Sequence, residues 1–132
     1  MFLKRYGSLF VIIILFTVGM IGIAFLPVDP SLMTRLVMNL TNLFLLILTA
    51  IIYKTEKVYW FTGINYEYAM SVGSQRRKWY AWQHVKTFGI FSIIYLILST
   101  FLHIFHVPFY VDIVVFTIGL TATALSTMRY KL

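Results

Sequence analysis

Four stretches of this chain, residues 9–26, 36–53, 87–106 and 111–128, are so long and apolar that water cannot serve as their solvent. A helix needs about 20 apolar residues to cross the hydrocarbon layer, which is roughly 30 Å thick. In lipid every backbone N–H and C=O must find its partner inside the protein, so isolated apolar runs cross as helices. The composition agrees, with 61% hydrophobic and only 11% charged residues, against about half apolar and a quarter charged in soluble domains. The expected fold is all-α, an integral membrane four-helix bundle in a single domain of 132 residues. Its spans fall at about 8–26, 36–53, 87–106 and 111–128, and the loop 54–86 contains a short amphipathic helix.

Breakers separate the runs. Lys4 and Arg5 precede the first one, as in a signal peptide, but the run exceeds the roughly 7–15 residues of a signal h-region and no small-x-small cleavage site follows. It reads as a retained span. Pro27, Val28, Asp29, Pro30 and Ser31 then force a turn, with Asp29 or Ser31 available to cap the next helix. Gly19 and Gly22 share one face of the first span, where a neighbouring helix can approach closely. Val107 to Tyr110 turn the chain between the last two spans, and Thr117, Gly119, Thr121, Thr123, Ala124 and Thr127 give the fourth a small, weakly polar surface.

Charge sets the orientation. If both termini face the cytoplasm, the inner segments hold Lys4, Arg5, Lys54, Lys57, Arg76, Arg77, Lys78, Lys86, Arg129 and Lys131, and the outer turns hold only Arg35. Basic residues are retained on the cytoplasmic side, so this bias predicts a multi-pass plasma-membrane protein with both termini inside. The net charge of +7 therefore needs no nucleic acid, and no nucleic-acid-reading module accompanies it. The chain has no cysteine, which excludes disulfides and thiolate metal sites.

The segment 54–86 carries all three tryptophans. Thr62-Gly63 and Ser71 to Ser74 read as bends, and the residues from Ser74 to Lys86 as an interfacial helix, either separate from the third span or continuous with it. Trp60, Arg76, Arg77, Lys78, Trp79 and Trp82 are the candidate contacts. Lipid headgroups are one target, since each basic residue near an anionic surface contributes about 1 kcal/mol. A membrane or cytoplasmic protein partner is the other, because Trp, Tyr and Arg dominate interface energetics.

Within the spans, Asn39 and Asn42 lie on one helical face and need partners, as helix-to-helix links or as the lining of a path. His103, His106 and Asp112 sit near the outer end of the last two spans and are the candidate metal ligands, with Asp29 at similar depth. With Asp112 counted to its turn, no span is expected to carry a charged residue, which argues against a proton-coupled pump. No phosphate loop, nucleophile elbow or zinc-protease pattern occurs, so neither an enzyme nor a cofactor is expected.

Residues 39–99 place an apolar helix, the stretch Tyr59-Trp60-Phe61-Thr62-Gly63, the basic Arg76-Arg77-Lys78 and another apolar helix in order. This arrangement resembles small multi-pass membrane proteins of Gram-positive bacteria classed as domains of unknown function, and the resemblance implies a bacterial cell membrane. The expected role is a non-enzymatic accessory or interaction subunit that docks through its basic aromatic loop. A small oligomeric transporter, channel or holin-like pore and an immunity protein against a membrane-active toxin stand as alternatives. The expected partners are phospholipids, with a protein or a second copy of the chain as a further candidate.

Overall fold

The structure, a computed structural model, describes residues 6–61 and 64–132. Lys4, Arg5 and the bend at Thr62-Gly63 lie outside the described residues. Among the described residues the fold is an all-α bundle of five helices: α1 (Gly7–Ala24), α2 (Pro30–Thr55), α3 (Tyr66–Ser71), α4 (Ser74–Ile104) and α5 (Phe109–Thr127). A 3-10 turn, Val58–Trp60, lies between α2 and α3. All except α3 are long and apolar enough to cross a membrane.

Lengths explain the shape. At 1.5 Å per residue, α1 with 18 residues and α5 with 19 just span the hydrocarbon. By the same rise α2 with 26 residues and α4 with 31 overshoot it. The interfacial helix expected at Ser74 is thus the first part of α4, and the connection to α2 shrinks to residues 56–73. Alternating direction puts residues 6, 55, 74 and 128 at one end, here called the basic end, and residues 25, 29, 105 and 108 at the opposite end.

Helices α2 and α4 form the centre, with α5 against both and α1 against α2. Asp29 caps α2, its side chain accepting from the Leu32 amide at 2.7 Å, and Pro30 takes the first helical position, where the missing N–H costs nothing. Gly19 is where α1 meets α2: a Cβ there would stand 3.2 Å from Leu40, and Phe16 stacks on Phe44 at 4.4 Å. Gly22 faces open space. No residue of α1 is buried.

Most of the buried apolar side chains are at the basic end. Ile52, Val58, Tyr59, Ala69, Tyr80 and Ala81 form a buried cluster that roofs the overshooting turns of α2 and α4. Outside the hydrocarbon, water drives apolar side chains together at about 25 cal/mol per Å². Inside it lipid is as apolar as leucine and this drive vanishes, so the spans leave Ile14, Leu15, Ile94 and Ile118 facing outward.

Candidate functional site

Two regions collect the polar and aromatic residues, one at each end. At the opposite end, Arg35 and Asp112 are both inside the bundle, 3% and 0% exposed. This corrects two expectations, that Arg35 lies in an outer turn and that no span carries a charge. Arg35 Nη2 stands 3.0 Å from Asp112 Oδ1, and Nε donates to both carboxylate oxygens at 3.1 Å. The remaining guanidinium donors go to Ser31 Oγ (3.0 Å), His103 Nδ1 (3.2 Å) and the Val107 carbonyl (2.7 Å). A guanidinium has five N–H donors and no acceptor, and here every donor has a partner. His103 Nδ1 is therefore the acceptor, which leaves the ring proton on Nε2.

The carboxylate has further, longer contacts. Asp112 Oδ2 also accepts from the hydroxyls of Tyr95 and Ser99, both at 3.4 Å. Asn39 Nδ2 donates to the Arg35 carbonyl at 2.8 Å and to Ser99 Oγ at 3.4 Å. Helices α2, α4 and α5 are thus tied by one network built around a single ion pair. Removing one partner of such a pair typically costs about 3–5 kcal/mol, because the other charge is left uncompensated.

Local geometry delivers Val107. His106 adopts a left-handed backbone, φ 56°, with its amide bonded to the His103 carbonyl and the Val107 amide to the Leu102 carbonyl. These two bonds make a Schellman turn, a position that usually takes glycine. The turn aims the Val107 carbonyl back at Arg35. His106 therefore serves this turn and lines the cavity of about 270 Å³ above Arg35. His103, His106 and Asp112 do not form a ligand set: Asp112 holds a guanidinium, and Asp29 is a helix cap. Among the described residues no three His, Asp or Glu side chains stand together as a metal site would need.

Asn42 departs from Asn39. Its Nδ2 is buried with no hydrogen-bond partner among the described residues, while its backbone carbonyl accepts from Ser92 Oγ at 3.3 Å.

At the basic end the three consecutive basic residues separate, since each helical step turns the side chain by about 100°. Arg77 turns inward: it donates to the carbonyls of Ala69 and Val72 and pairs with Glu56, Nη2 to Oε1 3.2 Å. It thereby ties Glu56, Ala69 and Val72 to α4 and is a structural residue of this cap. Glu56 ends α2 in the left-handed region, φ 62°. Arg76 points outward, its guanidinium 4.4 Å from the Trp79 ring centre and its Nη2 2.6 Å from the Lys131 carbonyl. Lys78 is exposed. Trp79 and Trp82 are 42% and 46% exposed, and Trp82 leans on Tyr53 at 5.6 Å. Trp60 is half-buried against the cap core, with Lys57 Nζ 5.0 Å from its ring. The structure therefore keeps Arg76, Lys78, Trp79 and Trp82 as an outward face and withdraws Arg77 and, in part, Trp60.

Arg35 is the residue that sequence reasoning missed, although a signal was present. Ser31, Arg35 and Asn39 recur at spacing four on α2, and Tyr95, Ser99 and His103 do so on α4. Two polar stripes of the same period are complementary faces of adjacent helices. No family model, curated protein or solved structure matches this chain.

Proposed function

We propose that the chain is a non-enzymatic interaction subunit of a bacterial plasma membrane, with the basic end in the cytoplasm, docking a membrane or cytoplasmic protein through Arg76, Trp79 and Trp82. The observation that carries this reading is an exposed aromatic and cationic face mounted on a folded base. Trp79 and Trp82 project from the same helix whose Tyr80 and Ala81 are buried in the cap core. Aromatic and arginine anchors held in place before binding lose little conformational freedom on docking.

The spans support a scaffold more than a conduit. Hydroxyls of α5 return to their own backbone, Thr123 to Gly119, Ser126 to Thr123 and Thr127 to Ala124, and Asn39 is engaged within the ion-pair network.

A photo-crosslinking amino acid placed at position 79 or 82 in intact membranes tests this. Discrete adducts of one size are expected from both positions, and none from position 118 on the lipid-facing side of α5. Absence of adducts at positions 79 and 82, or the same adducts from 118, overturns the docking reading. Solute flux through liposomes containing the purified protein would replace it with a pore.

A further inference from the structure

Between α4 and α5 at the basic end lies an open groove of about 390 Å³. Its upper rim carries Lys86, Thr87, Arg129 and Tyr130, and its lower wall is the apolar run Ile90, Phe91 and Ile94. The rim is organised: Arg129 Nη2 donates to Tyr130 Oη at 2.8 Å, and Tyr130 Oη lies 3.0 Å from Thr87 Oγ1. Thr87 Oγ1 gives its one proton to the Gln83 carbonyl at 2.8 Å, so Tyr130 donates to Thr87, and the positive charges of Arg129 and Lys86 stand beside the phenol. The local field thus favours negative charge.

Depth agrees with this chemistry. From Lys86 to Ile104, and along α5 from Phe109 to Thr127, the helical rise is about 27–28 Å, close to the hydrocarbon thickness. Lys86 and Arg129 therefore stand together at the headgroup level of one leaflet. The apolar wall runs down from them at acyl-chain depth. Phe91 is seated on Gly119, where an added Cβ would lie 2.6 Å from its ring, so the floor of the groove lies close against α5.

We infer that this groove binds one anionic phospholipid, its phosphate between Lys86 and Arg129 with Thr87 and Tyr130 beside it, and an acyl chain along Ile90, Phe91 and Ile94. Two cations above an apolar channel between helices match a charged headgroup carrying a chain, whereas a free phosphate would leave the channel empty. The site begins one helical turn beyond Trp79 and Trp82 on α4 and needs no docking partner.

The test is native mass spectrometry of the full chain in detergent, with phosphatidylglycerol and phosphatidylcholine supplied equally. The wild-type protein is expected to retain one phosphatidylglycerol in preference to phosphatidylcholine. Lys86→Gln plus Arg129→Gln should lower that retention by about tenfold, while Lys54→Gln plus Lys78→Gln, at exposed positions away from the groove, leaves it within about twofold of wild type. Both rim positions are exposed, and thermal melts confirm that the fold is kept. Lys86→Arg plus Arg129→Lys, which conserves charge, should retain the lipid. Unchanged retention in the Lys86 and Arg129 double variant overturns the inference. An equal loss from the Lys54 and Lys78 variant does so too, because attraction would then be spread over the whole basic end.

Discussion

The two ends of this bundle solve the same problem with opposite chemistry. At the basic end, connecting chain is held by apolar and aromatic burial, with Val58 and Ala69 wholly enclosed and Phe61 stacked on His84 at 4.1 Å. At the opposite end, three spans are held by one ion pair and the hydroxyls, imidazole and carbonyl around it. The difference follows the solvent. Burial of apolar surface is a driving force only where water is the alternative, so it builds the cap and leaves the spans to hydrogen bonds and charge.

Breaking the charged end should have the largest effect. Asp112→Leu leaves a guanidinium inside the bundle without its carboxylate and is expected to cost about 3–5 kcal/mol, read as a lower thermal midpoint in detergent. Tyr59→Ala removes a ring that touches Tyr6 and Tyr66, both at 5.4 Å. Its cost should be about 3 kcal/mol, confined to the cap: limited proteolysis within residues 56–73 should accelerate while the spans stay protected. A global collapse would show that the two ends are not separate units.

Smaller effects sharpen the contrast. Asn42→Leu replaces a buried amide that lacks a partner for Nδ2 and should stabilise by about 1 kcal/mol. Glu56→Gln weakens a partly exposed pair with Arg77, side chains 23% and 11% exposed, and should cost at most about 1 kcal/mol. A larger loss there would place the cap's stability in its ion pair and remove the distinction between the ends.

The spans and their alternation were legible because hydrocarbon admits few solutions for an apolar run, and the Asp29-Pro30 start of α2 was legible from capping chemistry. The ion pair was not. Arg35 and Asp112 each lie close to a proline, and a charge near a breaker reads as loop until the opposite helix is known to supply its partner. The spacing-four stripe on α2 marks the face of Arg35, but the 77-residue separation from its partner on α5 is a fact of packing. The central segment divides for the complementary reason. Arg76, Arg77 and Lys78 form one block along the chain, but helical rotation gives them separate fates, and the carbonyls of Ala69 and Val72 with the Glu56 carboxylate hold Arg77 inward.

The central claim is that the charged pair is a structural tie and that recognition resides at the other end. The double substitution Arg35→Met plus Asp112→Leu tests it most directly, measured by thermal melting together with crosslinking from position 79 in the same membranes. Removing both charges should recover most of the stability lost by Asp112→Leu alone, since neither is then left unpaired, and the adduct should be unchanged. A folded double variant without the adduct would contradict the claim, because the ion pair would then carry function itself.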